Sequence, residues 1–283
     1  MTTVLISGLG LIGSSIARII KDGDAAVTIL GSDPDDDNAD FLLEHQMIDS
    51  RVAFTDGAKS ADVIILAGPV SVILDQIGEL SRLSLKDGVL VTDVGSTKQA
   101  IMTAATRLTQ KGVAFMGGHP MAGSHLTGSQ NGTVNLFKNA KYFLVTGSQT
   151  ERQLRDFQKL LKSANVDWIT TSAQTHDKLV SELSHVPHAV AAALVNSIAE
   201  GLADDPVGLK AAAGGFKSTT RIAASNPQMW TAIMMSNSEV VSRELAAFQQ
   251  QLSQLEQAIK SQDEAAIYAT FAKAQKTRQS LDD

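Results

Sequence analysis

Six histidines and no cysteine set the range of side-chain chemistry open to this chain. Thiol nucleophiles, disulfides, cysteine-ligated zinc and iron–sulfur clusters are excluded, so acid–base work falls to histidine and the carboxylates. Three stretches concentrate groups that could do it. Gly117-Gly118-His119-Pro120-Met121-Ala122-Gly123-Ser124 follows an apolar run. It places an imidazole on a loop at the C-terminal end of a strand, where open α/β sheets bind ligands, and a neutral imidazole there suits a general base. Ser184-His185-Val186-Pro187-His188 lies in a helical pattern. Positions 184 and 188 are i, i+4 and 185 and 188 are i, i+3, so one face carries several polar groups. Metal binding is the rival reading, but no cysteine or nearby carboxylate completes a ligand set and His-x-x-x-His is absent. No metal site is expected. Phe216-Lys217-Ser218-Thr219-Thr220-Arg221-Ile222-Ala223 interrupts a helical region. Arg221 could grip a carboxylate bidentately, although read alone a surface ion pair is the simpler account. His45, in a charged helix, is expected on the surface.

Near the start, Gly8-Leu9-Gly10-Leu11-Ile12-Gly13 is a G-x-G-x-x-G with the strand Thr3–Ser7 before it and an apolar-periodic helix after it. That context is the signature of a dinucleotide site. Gly8 permits the tight turn, Gly10 lets a pyrophosphate approach the backbone, and Gly13 lets helix and strand pack closely. Leu11 and Ile12 open a helix whose free N–H groups and positive dipole end face the phosphates. Asp33, twenty residues after Gly13, ends the second strand, where a carboxylate binds both ribose hydroxyls and repels a 2′-phosphate. No Arg or Lys lies between Lys21 and Arg51, so NAD is favoured over NADP. Asp35, Asp36 and Asp37 read as a solvated helix start. The loops Ala67-Gly68-Pro69-Val70 and Asp93-Val94-Gly95-Ser96-Thr97-Lys98 should also face the cofactor, with Pro69 turning the chain on the nicotinamide side and Asp93 among the cofactor contacts.

The elements that must position these groups divide the chain in two. Of the 21 glycines, 17 lie before residue 150. There, strands expected at 3–7, 27–31, 63–67, 89–92, 113–116, 142–145 and 167–170 alternate with helices at 11–21, 72–80, 98–110 and 151–163. Strand–helix alternation implies a mostly parallel sheet covered by helices, a Rossmann-type α/β domain over residues 1–171. Residues 172–283 read as all helical. One long helix over 176–202 should break or kink at Pro187. The helix at 237–262 carries an apolar seam suited to core or dimer surface, and 263–279 forms a last helix.

Together, Gly8–Gly13, Asp93–Lys98, Gly118–Gly123, His176-Asp177, Ser184–His188 and Thr219–Ala223 resemble the prephenate/arogenate dehydrogenase family of tyrosine biosynthesis, in the family's order and over essentially the whole chain. The resemblance implies a Rossmann domain followed by a helical domain that forms a homodimer, and oxidative decarboxylation of prephenate to 4-hydroxyphenylpyruvate with NAD. It implies that His119 is the catalytic histidine on the ring hydroxyl and that Ser96 orients that hydroxyl. By the same resemblance Arg221 anchors a substrate carboxylate, Ser184, His185 and His188 form the substrate-side helix, and Trp230 lines the pocket. The family often has acids where this chain has Ser218 and His125, so a different network is expected, with His125 adding positive charge near the dianionic substrate.

With 24 basic and 30 acidic residues the net charge is −6, which argues against nucleic acid as a partner. A dianionic substrate must then be held by local groups, chiefly Arg221 with His185, His188 and Lys217. No leader or bilayer-length apolar run is visible, so a cytoplasmic location without a membrane partner is expected, and no length is left over for an appended regulatory domain. Arogenate dehydrogenation is the alternative within the family. Outside it stand another Rossmann-plus-helices enzyme and a non-catalytic NAD sensor, which need not keep His119, Ser96 and Arg221 together.

Overall fold

The computed structural model describes residues 2–24, 26–123, 126–205 and 207–281. The first strand, β1 (Thr3–Ser7), runs through the Gly-rich turn into helix α1 (Leu11–Gly23), and β2 (Thr28–Ser32) leads into α2 (Asp36–Glu44). A short β3 (Ser50–Arg51) and α3 (Phe54–Ser60), neither expected from the sequence pattern, precede β4 (Val63–Leu66) and α4 (Val70–Leu80). Then follow β5 (Leu90–Asp93), α5 (Gln99–Thr109), β6 (Ala114–Pro120), β7 (Lys141–Val145), α6 (Glu151–Leu160) and β8 (Asp167–Thr171).

These strands form one eight-stranded sheet in the order β3-β2-β1-β4-β5-β6-β7-β8. All neighbours are parallel except β6 and β7. β4 and β5 are buried throughout, as two-sided burial requires. Alternation within β1 feeds both layers. Val4 and Ile6 pack with Ile16, Ile20 and Phe157 on one face, and Leu5 packs with Ile64, Ile73 and Ile101 on the other. The chain leaves β1 toward β2 on one side and returns to β4 on the other, so a crevice opens at the C-terminal ends of these strands.

β6 is longer than its apolar run suggests. Gly117–Pro120, expected as a loop, pairs antiparallel with Tyr142–Val145. The two glycines make this possible: a Cβ at Gly118 would sit 2.5 Å from the Asp93 carbonyl and 2.9 Å from the Tyr142 hydroxyl. His119 is therefore held by a strand, not a loop.

Beyond Thr171 the described chain is helical: α7 (Ala173–Val180), α8 (Val186–Gly201), α9 (Gly214–Thr220), α10 (Pro227–Ser236), α11 (Ser238–Lys260) and α12 (Glu264–Gln279). The expected single helix over 176–202 is two helices joined by a π turn at Ser181–His185. The break comes just before Pro187, which lies in the first turn of α8, where its missing N–H costs no hydrogen bond. The widened turn is a common feature of functional sites. Among the described residues no helix is long and apolar enough to cross a membrane.

Candidate active site

The dinucleotide cradle has the geometry its glycines demand. Gly8 adopts φ +93, and a Cβ there would meet the Ala67 backbone at 2.7 Å. A Cβ at Gly13 would overlap the Gly8 carbonyl oxygen, whereas one at Gly10 would meet nothing within 4 Å. Gly10 is thus a glycine the folded chain alone does not require, which fits a position that a ligand approaches. It is also the N-cap of α1 and offers no side chain to the helix's free N–H groups, with Leu11 and Ile12 in the first turn. Asp33 stands beside this helix end. Its carboxylate accepts the backbone N–H of Leu9 on one oxygen and that of Asp35, at 2.8 Å, on the other. Lone pairs remain for a diol. These residues fit a dinucleotide. Pro69 is the exposed N-cap of α4, directly after β4, on the same edge of the sheet.

Asp93 departs from expectation. Its side chain is fully buried and ion-paired with the equally buried Lys98, and it accepts the N–H groups of Gly95 (2.8 Å) and Gly118 (3.2 Å). With both oxygens engaged inside the protein it shapes the 93–98 loop and supports β6 rather than touching a cofactor. Burial raises the Asp93 pKa and lowers that of Lys98, and their mutual attraction opposes both shifts. Ser96, half-buried, lies in the loop this pair holds.

Around His119 the structure assembles groups that are far apart in sequence. Its Nδ1 is 2.8 Å from Nε2 of His176, and Nδ1 of His176 is 2.8 Å from Oδ1 of Asp177. The Asp177 carboxylate accepts the backbone N–H of Lys98 at 2.7 Å and of Gln99 at 2.9 Å, pinning α7 to the start of α5. Asn237 donates to the Asp177 carbonyl at 2.9 Å and stands 3.4 Å from Nδ1 of His185. Thr97 donates to Ser236 at 3.0 Å, a second tie between the loop and the helices. His185 packs edge-on to Trp230, and Trp230 stacks on His188 with centroids 3.6 Å apart. His188 donates from Nδ1 to the Ser184 carbonyl at 2.8 Å. Arg221, exposed and first in a short turn after α9, lies close enough for its charge to lower the His188 pKa, after burial, the larger cause.

One continuous path of contacts therefore joins the expected residues His119, His185, Trp230 and His188, with Arg221 near enough to act on His188 by its charge. His176, Asp177, Lys98 and Asn237 complete it; the sequence marked His176-Asp177 only as part of the resemblance and Lys98 only as part of a cofactor-facing loop, and gave Asn237 no role. His125 lies outside the described residues. Charge, however, is distributed differently from expectation. Burial first, then His176, Lys98 and His185, push the His119 pKa well below the ordinary histidine value. Burial, followed by nearby His176 and His188, brings His185 down to about 4 against the pull of Asp177. Burial thus disfavours the charged forms of both His185 and His188, so neither is a ready-made cation in the free protein.

Two family models cover almost all of this architecture. Residues 16–170 match "Prephenate dehydrogenase, nucleotide-binding domain" and residues 172–273 match "Prephenate dehydrogenase, dimerization domain". The chain belongs to the prephenate dehydrogenase family. It is 40% identical over its whole length to the prephenate dehydrogenase of Lactococcus lactis, 78% of which it covers. Among solved structures it resembles Aquifex aeolicus prephenate dehydrogenase in complex with hydroxyphenyl propionate and NAD+, at 28% identity and TM-score 0.89 over 99% of this chain and 98% of that one. It also resembles Synechocystis arogenate dehydrogenase, at 28% identity and TM-score 0.85 over 99% and 100%. Solved structures bearing two different substrate names thus share this fold.

Proposed function

We propose that this chain is an NAD-dependent prephenate dehydrogenase that releases CO2 and 4-hydroxyphenylpyruvate. The carrying observation is the half-buried His119 at the ligand edge of the sheet, joined through His176, Asp177, Asn237, His185 and Trp230 to His188, which lies within reach of the charge of Arg221. Gly8–Gly13 and Asp33 would hold the cofactor. NAD, when bound, accepts the hydride from the carbinol carbon of the ring. His119 accepts a hydrogen bond from the ring hydroxyl and draws its proton as positive charge develops at that carbon. Ser96 orients the hydroxyl. The electron pair of the bond to the departing carboxylate enters the ring, CO2 leaves, and the proton returns to the phenol oxygen. Aromatisation makes the step strongly downhill, so the side chains need chiefly to position the substrate and supply a neutral base, worth about 10²–10⁴-fold.

Arg221 grips a substrate carboxylate, and Ser184, His185, His188 and Trp230 form the wall on the helical side. Prephenate is favoured over arogenate because an ammonium group wants a free carboxylate. The buried carboxylates among the described residues, Asp93 and Asp177, are already engaged by Lys98, His176 and backbone N–H groups. The division at residues 171/172, with cofactor binding before it and substrate binding and dimerisation after it, is supported by the last strand ending at Thr171 and by the helical remainder. A homodimer through the helices is supported by the exposed apolar residues Leu252 and Ile259 on α11 and Tyr268 and Phe271 on α12.

The test is reduced-cofactor formation with prephenate and arogenate, each with NAD and NADP. Prephenate with NAD should give the highest kcat/KM, and no turnover with any pair would refute the assignment. His119→Asn should lose turnover with substrate binding kept, and Arg221→Ala should chiefly raise KM.

A further inference from the structure

His119 and His176 meet nitrogen to nitrogen, Nδ1 to Nε2, at 2.8 Å. A contact of that kind needs one N–H and one lone pair, so the two rings hold opposite roles across it. The group behind His176 decides which. Oδ1 of Asp177 lies 2.8 Å from Nδ1 of His176 while the same carboxylate accepts two backbone N–H groups at the start of α5. Burial opposes ionisation of Asp177, yet the hydrogen bonds from His176, Gln99 and Lys98 together hold its pKa below the ordinary carboxylate range. An ionised carboxylate only accepts, so the His176 proton sits on Nδ1 and its Nε2 carries the lone pair. Nδ1 of His119 must then donate, and the lone pair of His119 falls on Nε2.

We infer that His176 and Asp177 are positioning residues that fix His119 in the Nδ1–H tautomer and so leave its Nε2 as the base of the reaction. The catalytic half of this inference rests on the function proposed above, whereas the tautomer rests on the contact geometry and on an ionised Asp177. The titratable groups facing the pair come from every element packed around it. These are Asp177 on α7, Asp93 on β5, Lys98 before α5 and His185 in the π turn. Burial first, and Lys98 among the lesser causes, disfavour the charged form of both rings, against the pull of Asp177 and Asp93 on His176. The edge-on packing of the fully buried His176 against Phe143, with centroids 5.2 Å apart, holds its ring in the plane this handover needs. His119 pairs with Phe143 across β6 and β7, so the strand register places all three rings together.

Two measurements test this. NMR of the full-length protein carrying isotope-labelled histidine, with ring signals assigned through His119→Asn and His176→Gln, should show Nδ1–H and an unprotonated Nε2 on both rings. A proton on Nε2 of His119 would overturn the inference and leave the enzyme assignment standing. Kinetics supply the second. In His176→Gln the amide oxygen can accept from His119 while the amide nitrogen donates to Asp177, so kcat should stay within about tenfold of the parent. His176→Leu offers neither, and kcat should fall on the order of 10²–10⁴-fold with KM for prephenate and NAD nearly unchanged. Added to His119→Asn, His176→Leu should cost nothing further, because it acts through a base already removed. Equal losses in the Gln and Leu variants, or additive losses in the double variant, would reduce His176 to a packing residue. Should the Leu variant fail to fold, the ring spectra and the Gln variant decide. A parental kcat in His119→Asn would instead refute the base assignment itself, and the spectra keep the two failures apart.

Discussion

Gly10 and Gly13 belong to one motif, yet the structure predicts opposite consequences for the same substitution. In Gly10→Ala the new methyl meets no protein atom within 4 Å, and the backbone at φ −63 is open to any residue. Alanine is a poorer N-cap than glycine but restricts the unfolded chain, and these effects of about 0.5–1 kcal/mol oppose each other. Stability should change by under about 1 kcal/mol. Cofactor binding should not survive, because the methyl occupies the space through which the pyrophosphate reaches the N-terminus of α1. Losing two charge-assisted hydrogen bonds of about 1.5–3 kcal/mol each raises Kd more than 100-fold, at roughly 1.4 kcal/mol per tenfold. In Gly13→Ala the methyl overlaps the Gly8 carbonyl, so α1 must move off β1 and both stability and binding should fall. Chemical denaturation without cofactor, paired with calorimetric titration of NAD, separates the two. A Gly10→Ala protein that binds NAD with parental affinity would refute the placement of the pyrophosphate at this helix end.

Three further outcomes follow from the same arrangement of side chains. Asp33→Ala removes the diol acceptor and the charge that repels a 2′-phosphate, so KM for NAD should rise about 10–100-fold and the NAD/NADP preference should collapse; an unchanged preference in steady-state assays contradicts it. Lys98→Met leaves Asp93 buried and unpaired, costing roughly 3–5 kcal/mol, and adding Asp93→Asn should recover part of the loss in a urea titration. Acidification should destabilise the fold through its histidines before the carboxylates held low titrate. His119, His176 and His185 have folded pKa values below 6.5, so the unfolded chain takes up protons first, and the stability these histidines contribute, fully present above about pH 6.5, falls toward pH 4. His185 alone, at about 4, accounts for roughly 3 kcal/mol. Asp49, Asp62 and Asp177, held low, add losses only at still lower pH. Denaturation midpoints that stay flat between about pH 7 and pH 4.5 would contradict this.

What was legible in the sequence is what local spacing encodes. Gly8–Gly13, Asp33 and the alternation of apolar runs with periodic helices locate the sheet, the cradle and the helical remainder, because each depends on neighbours along the chain. The β3 strand of two residues and the seven-residue α3 carry too little periodicity to be seen. His119 read as a loop residue because the antiparallel partner that makes it a strand, Tyr142–Val145, is more than twenty residues away. The same holds for function. His119 meets His176 across 57 residues, and Asp177 meets Lys98 across 79, so no spacing rule connects them. Asp93 looked like a cofactor contact by its place at a strand end, and only the buried Lys98 behind it reveals that its charge is used internally. The neutrality of His185 is likewise a property of burial, invisible until the π turn is built.

The most direct test of the account is the stoichiometry of one reaction. The purified protein given prephenate and NAD should form reduced cofactor, CO2 and 4-hydroxyphenylpyruvate in equal amounts, and His119→Asn, with NAD affinity intact, should form none of the three at a comparable rate. Reduced cofactor without CO2, or full turnover in His119→Asn, would contradict it.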